Sequence, residues 1–502
     1  MTTLNIVLTS RRRLHNLVYK GHRRAEITLL WVLIFFLQST ITEAQITWRR
    51  TYGGELDDTG VTVRVLDQNR FVVAASTGSF GVDASSIYLF ETDGLGNRTW
   101  SALIGDGGIF RALDMQVDED GDLLIVGFTN VDAVGGYDAL LVRADQQGTE
   151  LWRKTYGGTD WDFFSDIKLL ENGNMLITGQ TFSVEEPGGN AWLILCDSDG
   201  EIIWERTLGG SGLHDGWAST PVPDGGFAMT GSLLAENGET DGFLARYDES
   251  GNLLWLQTYG GEGSDELRDV IVTNDGGFSM VGMTRSFEDF FEAWHLKVDD
   301  SGGEEWYRNW GQIDNQESYR HIQLADGRYI TVGYAETSGA GGKDLFLLRS
   351  LPSGDFDFGK TFGGIEDDEG YSLGLLDDGF ILVGYTLSFG QGSRDVFLVR
   401  TNLEGETEDE TVIEDFDPVS TPELASAKVT VYPNPSTGLF FVDSDELLIE
   451  AVLWDITGRP GKAVRDESGL TALHFDVPAG MYMLELRSLG GIHYKTRIII
   501  GR

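Results

Sequence analysis

The chain has 502 residues, of which 80 are acidic and 37 basic, for a formal net charge of −43. That charge excludes nucleic acid and anionic membrane surfaces as natural partners. With 66 glycines, 11% aromatic residues and a single cysteine, the composition predicts an all-β protein of short strands and tight turns, held by its cores and not by disulfides.

Residues 1–44 read as a signal peptide. Arg11, Arg12, Arg13, Lys20, Arg23 and Arg24 form a basic head, and 27–37 is an apolar run. That run is too short for a comfortable membrane span of about 20 residues. Thr42-Glu43-Ala44 offers a small-residue processing site, which predicts cleavage between Ala44 and Gln45. Loss of six basic and two acidic residues would take the net charge from −43 to −47.

From residue 45 to 409 the chain repeats. Trp48, Trp100, Trp152, Trp204, Trp255 and Trp306 recur every 51 or 52 residues, and Phe358 takes the next place. A Gly-rich corner follows each, such as TYGG at 155–158 and TFGG at 361–364. Asp93, Asp145, Asp197, Asp248 and Asp299 each lie seven before an indole, and a glycine lies four before it. This D-x-x-G-x-x-x-W element predicts a tight turn between the third and fourth strands of each unit. Four strand candidates per unit and no crossover helix predict a seven-bladed β-propeller. The last unit lacks its closing aromatic strand and the first Trp lacks a preceding turn. The opening strand, 46–52, is therefore expected to complete the last blade.

These units resemble secreted bacterial β-propeller repeats carrying W-x-x-T-Y-G-G, D-G-G-F and D-x-x-G-x-x-x-W elements. The resemblance covers 46 to about 409 and implies fold, not activity. Residues 410–425 are acidic and read as a linker. The segment 426–502 reads as a small Ig-like β-sandwich. It contains YPNP at 432–435, WDITGR at 454–459 and PAGMY at 478–482, and ends on a basic then apolar strand. In that order it resembles the type A C-terminal sorting domain of the Bacteroidota type IX secretion system. The resemblance implies export through the outer membrane with the type IX machinery as a partner, removal of the domain, and a secreted or cell-surface location, with the membrane reached only through attachment to surface polysaccharide.

No catalytic constellation emerges. There is no H-E-x-x-H, G-x-S-x-G or Walker pattern and no cysteine pair. Cys196 sits in an apolar run and reads as a buried hydrophobe. The D-x-x-G-x-x-x-W element also resembles the docking motif of quinone-dependent propellers, but seven units and one cysteine favour blade architecture. Asp118 to Asp122 (DEDGD) looks like part of a calcium loop. It lacks the twelfth-position Glu and coincides with a strand turn, so calcium is a weak expectation and no other cofactor is expected.

The irregular loops should share one face of the propeller. On it, four places after each corner, stand Asp58, Asp162, His214, Asp265, Gln316 and Asp368, with Ala112 interrupting the series. They read either as a cation or polyol site or as caps for backbone amides. Trp161, Asp215 and Trp217 join Asp58, Asp162, His214, Asp265 and Asp368 as candidate ligand-binding residues. Phe163, Phe164, Phe290 and Phe291 add asymmetry to the same face. The expected function is binding or adhesion to a glycan or protein, by a monomer. The alternatives are a polysaccharide-active enzyme using Asp162, Asp215 and Asp265, or a purely structural surface protein.

Overall fold

A computed structural model describes residues 46–407 except 82–83, 185–187, 288–289, 312–314 and 337–338. It also describes 412–415 and, beyond them, 430–432, 439–443, 448–455, 460–465, 470–475, 477–478, 480–488 and 493–500. The leader, the processing site at Ala44 and Gln45, most of the linker and parts of the three C-terminal motifs lie outside the described residues.

The described chain is all-β, a series of mostly four-stranded antiparallel sheets in β-propeller arrangement, the third and fourth joined by a short parallel pairing of Gly188 and Gly189 with Gly212 and Leu213. In the first sheet Asp58–Asp67, Arg70–Thr77, Ser86–Asp93 and Arg98–Ile104 pair in chain order. The following sheets begin with inner strands Phe110–Val117, Asp162–Leu169, Gly212–Pro221, Asp265–Val272, Gln316–Gln323 and Asp368–Leu375. The second and third strands of each sheet are nearly continuous apolar runs, because neighbouring sheets cover both of their faces. The cores accordingly lie between sheets. One cluster joins Ala74 and Leu89 of the first sheet to Met115 and Leu140 of the second. Another joins Val73 and Phe90 to Val383 and Leu398 of the last.

The D-x-x-G turn fixes the inter-sheet contact. In the second unit the Gly148 N–H donates to the Asp145 carbonyl at 2.9 Å, and Asp145 Oδ1 accepts the N–H groups of Gln147 and Thr149. Gly148 has φ +77°, and a Cβ there would lie 3.0 Å from the Trp100 ring of the preceding sheet. The same approach joins Trp152 to Gly200, Trp204 to Gly251 and Trp255 to Gly302. Each indole therefore seals the turn of the next sheet.

The ends of the repeat meet as the sequence predicts. Trp48–Tyr52 pairs antiparallel with Asp395–Asn402, placing Trp48 opposite Arg400. The Trp48 indole donates to the Gly94 carbonyl at 3.0 Å, and the Tyr52 hydroxyl to that of Gly96 at 2.6 Å. Both acceptors belong to the first sheet. The linker assignment over 410–425 needs one correction. Val412–Asp415 is a strand, paired in parallel with the outer edge of Trp48–Tyr52. Its Val-Ile pair and the open edge beside it outweigh the acidic composition, so the last sheet has five strands and the repeat region runs past 409.

The C-terminal segment forms two small sheets, one of three strands and one of four. They share a core that includes Phe440, Leu453, Leu473, Leu484 and Ile500.

Candidate functional site

Every inner strand carries a β-bulge at the same place. The pairing register shifts across Val61, Leu113, Ser165, Trp217, Arg268, Tyr319 and Tyr371. A bulge re-aims the extra side chain. All of these side chains line one cavity of about 510 Å³ on the axis that the inner strands surround. Thr59, Arg111 and Arg394 complete its wall at the end where the inner strands begin. This is the face on which the irregular loops converge.

A buried charge network closes the cavity below. Arg320 crosses the axis to Asp166 at 2.8 Å and to Asp114 and Asp269 at 3.3 Å each. Arg64 also meets Asp114 at 2.7 Å, Lys168 meets Asp166 at 2.5 Å, and His321 Nδ1 meets Asp269 at 2.8 Å. Each of the three aspartates also accepts a backbone N–H of a neighbouring sheet, from Ile167, Ser219 and His321. Burial opposes ionisation of Asp114, but Arg64, Arg320 and Lys168 hold its carboxyl below the ordinary value. Asp269 is likewise held down against burial, by its bond from His321 and by Arg320. Above this floor Arg268 lies 4.3 Å from the Trp217 ring and 5.3 Å from that of Tyr319. Glu266 at 3.0 Å and Glu317 at 3.6 Å stand behind it.

The structure separates the sequence-predicted residues into two sets. Asp58, Asp162, Asp265 and Asp368 are buried and do not line the cavity. Asp162 shows why. It accepts the Gly158 N–H at 2.9 Å, the Ser183 hydroxyl at 2.7 Å and the Thr181 hydroxyl. Asp265 repeats the set with Gly261, Thr284 and Ser286, and Asp58 with Gly54, Thr77 and Ser79. These carboxylates cap the corner amide and pin the next loop, so assigning them to ligand binding is corrected. His214 is also buried and accepts the Leu234 N–H at its Nδ1. The second unit's place in this series belongs to Phe110, paired with Thr129, and not to Ala112.

The carboxylates suggested for glycoside hydrolysis do not assemble. Asp162 and Asp265 are sealed as caps. Asp215 is bonded to Gln180 and Ser232, and burial raises its pKa. The turn reading of Asp118 to Asp122 holds. Asp118 Oδ1 accepts the N–H groups of Asp120 and Asp122, and Arg143 bridges Asp118 and Asp122. Among the described residues no group of three or more acidic, His or Cys side chains is placed to hold a metal ion. Cys196 is buried, and that burial pushes its thiol up to about 12.

Of the aromatic candidates, Trp217 lines the cavity, whereas Trp161 is half exposed and does not line it. Trp161 meets Tyr137 edge to face, and Tyr137 meets Phe128 of the cavity wall in the same way. Phe164 is wholly buried against Trp192. Phe290 is exposed, and Arg285 lies over the Phe291 ring. Sequence reasoning missed the arginines and the bulge. The available signal was the position three places after the capping Asp, where side-chain type changes from unit to unit while the backbone pattern does not.

No family model matches the chain. A stretch of 150 residues is 27% identical to the regulatory protein FlaEY of Caulobacter vibrioides, covering 27% of this chain and 15% of that protein. Among solved structures, similarity extends to the extracellular domain of a hybrid two-component system of B. thetaiotaomicron. There the TM-score is 0.42 at 12% identity, over 88% of this chain and 57% of that one. Puromycin hydrolase gives a TM-score of 0.47 at 14% identity, over 85% and 58%. The β-propeller domain of the Trilobed protease of Pyrococcus furiosus gives 0.41 at 10%, over 76% and 99%. The chain thus spans little more than half the length of the first two of these structures and a small part of FlaEY.

Proposed function

We propose that this chain is an exported, surface-displayed seven-bladed β-propeller that binds a glycan or protein ligand in its axial cavity. The carrying observation is the convergence of the bulged residues on that cavity. Repetition supplies a rigid frame, and one backbone irregularity per sheet aims a different side chain at the axis. Binding sites are commonly such concave, mostly apolar pockets with a few convergent polar groups. The count of seven blades rests on the inner strands and on the core shared by the first and last sheets. The two C-terminal sheets fit an Ig-like sorting sandwich, and the motifs at 432–435, 454–459 and 478–482 support export by a type IX machinery. Sealing of Asp162 and Asp265 favours binding over hydrolysis.

The test is a glycan and protein array probed with the full secreted chain. A retained ligand should be lost when Trp217 and Tyr371 are both replaced by Ala. Retention by that double variant would remove the cavity as the site, and an array with no retained ligand would remove the binding reading. Replacing the terminal 426–502 should leave the chain in the periplasm, and unaltered surface display would overturn the export route.

A further inference from the structure

The cavity reverses the sign of the chain. Four arginines line it, and no aspartate or glutamate does, in a protein with 80 acidic and 37 basic residues. Two of the four serve the scaffold: Arg320 holds the three buried aspartates of the floor, and Arg268 is backed by Glu266 and Glu317. The other two do not. Among the described residues neither Arg111 nor Arg394 has an ion pair, although both line the cavity at its open end. Arg394 lies 4.5 Å from the Tyr385 ring. Burial pushes the Arg111 pKa down, Asp57 opposes that, and the charge of Arg394 adds to it. Two like charges held near one another, with the Asp57 charge acting on Arg111 but no carboxylate in direct contact with either, are unfavourable for the empty protein.

Resting on the binding function proposed above, we infer that Arg111 and Arg394 receive the carboxylate of an acidic sugar residue, a uronate. Guanidinium groups present paired donors that match a carboxylate. A bare inorganic anion would meet the arginines but leave Phe128, Trp217 and Tyr371 uncovered. A pyranose ring presents C–H faces to such aromatic walls and hydroxyls to Thr59 and Ser76, paired residues that line the same cavity. A cavity of about 510 Å³ has room for a ligand of this size.

The experiment is calorimetric titration of the full secreted chain with D-galacturonate, D-galactose, N-acetylglutamate and sulfate. Galacturonate should bind at least tenfold more tightly than each of the other three, and more weakly as salt rises. R111Q and R394Q should each weaken galacturonate about tenfold or more, the loss expected when a charge-assisted bond is removed. R111K, which keeps the charge but not the fork, should fall between wild type and R111Q. Equal binding of galactose, equal binding of N-acetylglutamate or sulfate, or an R111Q/R394Q variant that binds as wild type would each overturn the inference. So would an absence of galacturonate binding. Galactose bound equally well, but lost on replacing Trp217 and Tyr371, would refute the anion assignment and leave the cavity as the binding site. Thermal melts serve as the folding control: R111Q and R394Q should melt close to wild type, because neither arginine has an ion pair to lose and the Arg394 contact with the Tyr385 ring is a single cation–π contact.

Discussion

At the scale of single residues, one arrangement recurs: an aspartate buried at the entry to an inner strand, capping a glycine amide and taking two hydroxyl bonds. Asp162→Ala would leave the Gly158 amide and the Thr181 and Ser183 hydroxyls without their acceptor. It should cost about 3 kcal/mol in denaturant unfolding, from bonds to a charged group and from donors left unsatisfied. Asp344 behaves differently. It accepts the Ala340 N–H at 3.0 Å, and burial together with the charge of Asp368 raises its carboxyl to about 6. The folded state therefore favours the protonated form. The stability this gives is full below the unfolded value near 3.8 and is lost as pH rises through about 6. Asp344→Asn should raise the melting temperature at pH 8 and leave it nearly unchanged at pH 4. An equal rise at both would show that charge is not the cause.

At the scale of elements, the turn glycines divide into two kinds. Gly148 and Gly173 both have positive φ, +77° and +81°, so an alanine at either meets the same backbone strain. A Cβ at Gly173 meets nothing within 4 Å, whereas one at Gly148 would crowd Ala102 and Trp100. Gly148→Ala should therefore cost at least about 1 kcal/mol more than Gly173→Ala, the excess measuring inter-sheet packing. Equal losses would show that the indole yields freely. The closing strand makes a second case. Deleting 46–52 exposes the edge of Asp395–Asn402 and leaves Val412–Asp415 without its neighbour. The melting temperature should fall sharply, and an unchanged melt would sink the closure.

At the scale of the whole molecule, the axis is held by charge and not by apolar packing. Arg320 joins aspartates from three other sheets, so its loss cannot be absorbed locally. Arg320→Met should destabilise the protein by about 3–5 kcal/mol at pH 7, the range for breaking a buried pair. In the wild type, Asp114 and Asp269 are held below their ordinary values. Their contribution is present above the unfolded value near 3.8 and fades as pH falls below it. The variant should invert that trend: its deficit should shrink towards pH 4, where the carboxylates that have lost Arg320, and keep only Arg64, Lys168 or His321, take up protons more readily. A deficit constant with pH would mean that Arg320 acts through packing alone. The network also limits the depth of any ligand, since it forms the floor of the cavity.

The sheets and their closure were legible because they follow from local chemistry repeated many times. An Asp-x-x-Gly turn, a Gly-rich corner and an indole at a fixed interval each have a meaning that survives averaging over units. The edge strand at Val412–Asp415 was not legible, because two apolar residues in an acidic run become a strand only when an open edge lies beside them. The sign of the site was not legible either. Asp58, Asp162, Asp265 and Asp368 carry two readings in the sequence, ligands or amide caps, and their burial and hydrogen bonding decide for caps. Arg111 and Arg394 are nearly 300 positions apart, and Arg268 and Arg320 stand on two further sheets. Sequence alone determined the repeat, its turns and its closing strand, since these depend on neighbours along the chain. Tertiary structure decided which side chains share the axis and which charges find partners there, because both depend on bulges and cross-ring distances that no local pattern encodes.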